Sequence, residues 1–333
     1  MPGKRERFVL SVAFVILLVL FLLSLAIGQY RISIEEIISI FLGKDIPMLT
    51  KKVFLGLRLP RSLMAVLAGV GLALSGAVYQ TIFHNQLASP DIIGVSSGAN
   101  FGAALFITIL SSSLLPVAAG AFVGALMSVL LVLLLVRGTG RRDTSTYVLA
   151  GIVISAAAKT GIMLLKYFAD SESQLAAIEY WTMGSLASMT SAKVLATLPF
   201  CLIGIVGLLL FRRQIQILSI GDDEARSLGV NLRFIRICIL LLSTLLVSAI
   251  VSVTGLIAFV GLISPHIAYL ILKRKRSSYF VLSMETGAIL MVFSDILART
   301  ISTSELPISI PTTIIGLPVL ISLMLRKKDD CHD

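Results

Sequence analysis

"FVLSVAFVILLVLFLLSLAI", residues 8–27, runs for twenty residues without a charge. Coiled as a helix, a stretch of that length spans a bilayer core of about 30 Å. Comparable runs recur to the far end of the 333 residues, of which 57% are hydrophobic and only 14% charged, with a mean hydropathy of +0.98. A water-soluble fold of this size could not hide that much apolar surface. The expectation is an all-α polytopic membrane protein. A β-barrel is excluded, because its strands would alternate polar and apolar residues over about 10 positions. The run from Phe8 to Ile27 has no small-residue cleavage site of the usual signal-peptide kind, and further spans follow it, so it reads as the first membrane helix.

About ten spans follow from hydropathy: 8–28, 60–82, 92–110, 114–136, 145–168, 192–211, 234–253, 256–272, 279–299 and 308–325. The formal net charge is +10, but the basic residues lie in short clusters between apolar runs. That is a topology signal and not a nucleic-acid footprint. The clusters are Lys4/Arg5/Arg7, Arg137/Arg141/Arg142, Arg212/Arg213 with Arg226/Arg233/Arg236, Lys273 to Arg276, and Arg326/Lys327/Lys328. With ten spans and both termini cytoplasmic, all of them fall on the cytoplasmic side. Two longer connections then lie outside. Residues 29–57 hold the amphipathic "ISIEEIISIFLG" (32–43), and residues 169–190 hold Asp170, Glu172, Glu179 and Trp181.

Three cysteines and three histidines are scattered, with no metal-ligand spacing and no nucleophile–base pair. No metal site, no bound cofactor and no catalytic site are expected. Small residues at a spacing of four mark close helix packing: Gly94/Gly98/Gly102, Gly120/Gly124/Ser128 and Gly69/Ala73/Ala77. "GLIAFVGLISPH" (255–266) and "ELPISIPTTIIGLPVL" (305–320) read as broken spans. Such backbone survives at membrane depth only against protein or a wet cavity. Lys159 falls near mid-span, where a charge is costly, and is expected to face the interior or a water-filled path. Lys166 is close enough to a helix end to snorkel. Asp295 and Arg299 are one turn apart and read as an intrahelical ion pair.

No phosphate-gripping G-x-x-x-x-G-K-[ST] loop is present, so the chain does not hydrolyse ATP itself. The deep spans are almost free of Asp and Glu, with Asp295 the nearest candidate, which disfavours ion coupling. A pump driven by a partner fits better, and it needs a cytoplasmic surface for that partner to push. "GDDEARSLGV" (221–230) suits the role. Asp222, Asp223 and Glu224 favour a helix start, Arg226 follows the aspartates at spacings of four and three, and Gly229 favours a stop.

Eight stretches in order resemble the iron-chelate and cobalamin permease family of binding-protein-dependent ABC importers, over nearly the whole chain. They are "RLPRSLMAVLAGVGLALSGAVYQ" (58–80), "LASPDIIGVSSGA" (87–99), "LAGI" (149–152), "YWTMGSL" (180–186), "GDDEARSLGV" (221–230), "GLIAFVGLISPH" (255–266), "SDILAR" (294–299) and "ELPISIPTTIIGLP" (305–318). The resemblance implies a single transmembrane permease domain over 1–333, of the type II ABC importer permease fold, in a bacterial or archaeal cytoplasmic membrane. It makes the loop of about 212–233 short cytoplasmic coupling helices that dock into a groove of the ATPase subunit, two copies of which form the ATPase dimer. Gly221, Asp222, Asp223, Glu224, Ala225, Arg226, Ser227, Leu228 and Gly229 form that contact. Arg58, Arg61 and Arg299, at the outer face, would meet acidic residues of a substrate-binding protein. "DTSTYVLAG" (143–151) resembles the segment narrowing the path, with Thr144 and Ser145 as gate candidates and Lys159 near the path.

The implied machine pairs a second permease copy or close relative with this one in the lipid bilayer. ATP and Mg are used by the ATPase. The expected cargo is a metal chelate, ferric siderophore first, then haem or cobalamin, with an oxyanion such as molybdate behind. The alternative is an ion-coupled secondary transporter of a small anionic solute. Two positions depart from the family pattern. Asn85-Gln86-Leu87-Ala88 stands where Asn-Pro-Leu-Ala is usual, and Tyr269 stands where an Arg is usual after the Pro-His.

Overall fold

The structure is a computed structural model describing residues 3–28, 30, 32–44, 46–110, 114–140, 144–170, 173–227, 229, 231–302 and 305–329. Its described elements are helical. The long ones are α1 (Lys4–Ala26), α4 (Leu59–Ile82), α6 (Leu114–Thr139), α7 (Thr144–Phe168), α9 (Ser191–Leu210), α12 (Leu232–Thr254), α14 (Ser277–Thr300) and α15 (Ser309–Asp329). Shorter ones are α2 (Ile34–Phe41), α3 (Met48–Val53), α5 (Val95–Ile109), α8 (Gln174–Met183), α10 (Arg212–Leu218), α11 (Asp222–Ser227) and α13 (Val260–Leu272). Among the described residues, seven helical stretches are long and apolar enough to cross a membrane, and Val95–Ile109, Val260–Leu272 and Ser309–Ser322 are shorter apolar helices.

The spans order themselves by burial. α1 is the most apolar and largely exposed, whereas α4 and α12 are mostly buried. Where water is absent on both sides, burial comes from backbone-close packing and not from expulsion of water. The glycine rows provide it. A Cβ on Gly98 or Gly102 would run into the carbonyls of Gly124 or Gly120, so α5 and α6 meet along the two rows read from sequence. The third row works likewise, with Gly69 and Ala73 against Gly287 of α14.

The second span differs from expectation at its start. It extends back through α3 and a π-helical turn, Phe54–Arg58, making a continuous helical stretch Met48–Ile82. The third begins later, because Pro90–Ile93 forms a 3-10 turn that ends at Gly94 with φ 82°. The interruption at 255–259 is present: α12 stops at Thr254, and α13 starts only after Phe259, held at φ 67°. Its backbone groups find protein partners, as membrane depth requires. Thr254 O accepts from Ser185 N at 2.7 Å and Leu256 O from Ser309 Oγ at 2.9 Å.

The last span corrects the sequence reading, because α15 is continuous from Ser309. Pro311 falls in its first turn, where an N–H has no helical acceptor to lose, and Pro318 is carried inside the helix. Outside the spans, α2 is set by a capping box. Ser33 Oγ accepts from Glu36 N at 3.1 Å, while Glu36 Oε2 accepts from Ser33 N at 2.8 Å. The turn at Asn85 is closed by that residue, whose Oδ1 accepts from Leu87 N at 2.9 Å, so Gln86 in place of proline leaves it intact.

Candidate functional site

The bundle has two polar ends. At the first, α1, α4 and α14 bring three arginines together with two carboxylates. Arg61 Nε donates to Asp295 Oδ1 at 2.7 Å, and its Nη1 reaches both oxygens of Glu305, at 2.8 and 2.7 Å. Arg299 Nη2 lies 3.4 Å from Asp295 Oδ2 and donates to Ser24 O at 2.8 Å. Arg58 Nη1 donates to the carbonyls of Leu25 and Ala26 at 2.8 and 2.7 Å, and so caps the end of α1. Asp295 is fully buried, while Arg58, Arg61 and Arg299 are only 5%, 8% and 5% exposed.

The three arginines expected to meet a binding protein are thus buried, with their donors engaged inside the bundle. Their donors are turned inward because a charge at this depth is costly unless it is paired. The Asp295–Arg299 pair within α14 exists, but the shorter contact of Asp295 is with Arg61 of another helix. Glu305 opens the last of the eight matching stretches, but sequence assigned it no role. Its one signal is that it is an acidic residue in a loop facing a span that opens with two arginines.

At the opposite end lie the starts of α1, α7, α12 and α14 and the elbow of α10 and α11. Gly221 at φ 144° lets the chain turn sharply between the two short helices, and α11 starts at Asp222, as the acidic run predicts. Gly229 at φ 75° follows its end. Ala225 is fully buried, Glu224 and Ser227 are exposed, and Ser227 Oγ donates to Glu224 O at 2.7 Å. The side chains of Asp222, Asp223 and Arg226, and all of Leu228, lie outside the described residues, as does the pairing expected among the first three.

From the elbow the chain re-enters α12 through Asn231, whose Oδ1 accepts from Phe234 N at 3.2 Å. One turn on, Arg236 is only 4% exposed and stands over the ring of Tyr147, 5.9 Å from its centroid. Tyr147 is in the first turn of α7, beside Thr144 and Ser145, which are half-buried and exposed. Sequence counted Arg236 only as one more member of a basic cluster. Its burial could not be read from a charge count. Nearby, Lys275 Nζ donates to Gln80 O at 3.3 Å, and burial lowers the pKa of that ammonium below its ordinary value.

Mid-span, the row of Gly151, Ser155 and Lys159 splits. Gly151 packs against the backbone of Ile92, and Ser155 meets Gly94. Lys159 continues onto the exposed face of α7, with Ala156, Ala157 and Thr160 around it. Lys166 pairs with Glu179 of α8 at 2.6 Å. Glu285, about two turns into α14, is a membrane-depth carboxylate that the sequence reading passed over. One of its oxygens is buried without a hydrogen-bond partner among the described residues.

Comparison with known proteins places this arrangement. The model of the FecCD transport family matches residues 16–326. A molybdate import system permease of Haemophilus influenzae is 35% identical over 94% of this chain and 94% of its own. A hemin transport system permease of Yersinia pestis is 36% identical over 83% of this chain and 84% of its own. A solved structure described as an inward-facing transporter of metal-chelate ABC type superposes with a TM-score of 0.87 at 33% identity, over 96% of this chain and 99% of that one. The chain belongs to the FecCD transport family, the permeases of binding-protein-dependent ABC importers.

Proposed function

We propose that this chain crosses a bacterial or archaeal cytoplasmic membrane ten times and forms half of an importer's path. The seven long and three short apolar helices supply the ten crossings, with the elbow end inside together with both termini. An ATPase pair docks on α10 and α11, a second permease copy faces α7, and a binding protein delivers cargo at the Asp295 end. An exposed lysine in the middle of an apolar span supports the pairing. Lys159 facing lipid would be costly, whereas facing a path between two copies it stays hydrated.

The observation that carries the reading is the short line from elbow to gate. α11 leads through Asn231 into Arg236, and Arg236 stands on Tyr147 in the turn bearing Thr144 and Ser145. A push on the elbow is thereby delivered to the mouth of α7, which gives alternating access with no covalent step in this chain. Ion coupling has no comparable support at Asp295, which is fully buried and held by two arginines.

The cargo proposed is a metal chelate, ferric siderophore first, then haem or cobalamin. The names of the relatives cover hemin and molybdate, so molybdate belongs in the same panel. The test is uptake into vesicles holding the chain, its ATPase and its binding protein, with each cargo in turn. ATP-dependent accumulation of a chelate is expected. Accumulation driven by a proton or sodium gradient without nucleotide overturns the reading.

A further inference from the structure

At the elbow end, a pit of about 700 Å³ opens between α1, α10 and the start of α14. Arg212 and Arg213 line it from one side, and Arg276, more than sixty residues away in sequence, from the other. Ser277 adds a hydroxyl, while Leu10 and Val281 make the wall apolar. Glu6 is the carboxylate within the pit, and it accepts from Ser278 Oγ at 3.0 Å. All three arginines are exposed, and none takes part in a described ion pair or hydrogen bond. A second hollow of about 520 Å³ shares Arg212 and Arg213 and is walled by Val206, Leu209 and Leu210 of α9.

A positive-inside bias accounts for basic residues at this end. It does not account for three arginines from two separate segments converging on one concavity, where the one lining carboxylate, Glu6, is engaged by Ser278 and makes no described ion pair with them. Nor does it account for hydrocarbon walls on both flanks. α1 and the end of α9 are faces that lipid covers: Phe8 is 70% exposed and Leu210 is 74% exposed. The pit lies at the first turns of α1 and α14 and just past the last turn of α9, the depth of phospholipid headgroups. Guanidiniums suit phosphate oxygens better than any other common anion at that depth.

We propose that this pit is a binding site for an anionic glycerophospholipid. The phosphate sits among Arg212, Arg213 and Arg276, Ser277 donates to the same headgroup, and acyl chains lie along Leu10, Val281 and the α9 hollow. The bound lipid would brace α10, and with it the elbow, against α1 and α14. The inference rests on the membrane placement proposed above but not on the cargo or on ATP coupling, so it stands or falls separately from transport.

The test is native mass spectrometry of the full chain released from nanodiscs containing phosphatidylcholine with phosphatidylglycerol or cardiolipin. Wild type, R212A/R213A, R276A and R276K are compared, with R137A as an exposed basic control at the end of α6. Retention of anionic over zwitterionic lipid is expected to fall about fivefold per arginine removed, from roughly 1 kcal/mol per basic residue at the surface. R276K should keep most of it, and R137A should keep all of it. Equal loss in R137A, or equal retention of phosphatidylcholine, overturns the proposal in favour of diffuse attraction. Displacement of the lipid by millimolar inorganic phosphate overturns it in favour of a free-anion site. If the arginine variants retain lipid but lose the co-purifying ATPase, the surface belongs to that subunit and the proposal fails.

Discussion

The two ends of this bundle hold arginines in opposite ways. At the Asp295 end, Arg58, Arg61 and Arg299 are buried, and each is tied to carboxylates or backbone carbonyls of another helix. At the elbow end, Arg212, Arg213 and Arg276 are exposed and have no described partner. A buried guanidinium with its carboxylates fixes helix positions. An exposed one with no described partner is available to something outside the chain. The same residue type is thus a structural clamp at one end and a contact surface at the other. Arg236 sits between the two cases: it is buried near the elbow and stands over an aromatic ring.

The contrast can be broken most forcefully at Arg61. Arg61→Ala leaves Asp295 facing only Arg299 and strands Glu305. Loss of one partner from a buried pair costs about 3–5 kcal/mol, so thermal unfolding of the solubilised protein should shift down strongly. A shift no larger than that of R212A would erase the distinction between the ends. Next in size are the glycine contacts that hold the membrane interior together. Gly98→Leu or Gly102→Leu forces α5 off α6, with an expected loss of about 1–3 kcal/mol, read by the same unfolding measurement and by expression yield. An unchanged midpoint would mean that these rows do not carry the packing.

Arg236→Ala should cost less stability, about 0.5–2 kcal/mol for the cation–π contact. Transport is the sharper readout: uptake should drop severalfold while ATP hydrolysis by the docked partner continues. Uptake and hydrolysis falling in proportion would place Arg236 in docking and not in transmission. The smallest structural effect belongs to Lys159→Ala, within about 0.5 kcal/mol for an exposed side chain. Cargo uptake should nevertheless fall with ATPase docking intact, and unchanged uptake across the chelate panel removes Lys159 from the path.

Much of this architecture was legible because lipid makes the rules strict. Every span must be helical and apolar, so hydropathy located the cores of the helices. The start of α11 was equally plain, since a charged run with glycines at both edges has few other shapes in a chain so apolar. Boundaries failed where polar residues continue a helix or where proline does not stop one. Lys51 and Lys52 hid the extension of the second span back to Met48. Pro311 and Pro318 suggested a break in α15 that the first-turn position of one and the tolerance of the other remove. The partners of the arginines were hidden for a different reason. Sequence shows that Arg58, Arg61 and Arg299 lie at one end, but only the folded bundle shows Asp295 and Glu305 turned towards Arg61. Arg236 was only counted in a basic cluster and Glu285 passed unremarked, because burial is a property of neighbours, which a one-dimensional pattern does not list.

The claim that a partner's nucleotide cycle works this chain through its elbow is tested most directly at Glu224, an exposed position on α11. A cysteine placed there in a background lacking the natural cysteines should resist a membrane-impermeant maleimide added to intact cells. In inverted vesicles it should cross-link to the ATPase subunit, with a yield that changes between the ATP-bound and nucleotide-free states. Labelling from the cell exterior, or a cross-link indifferent to nucleotide, would contradict the account.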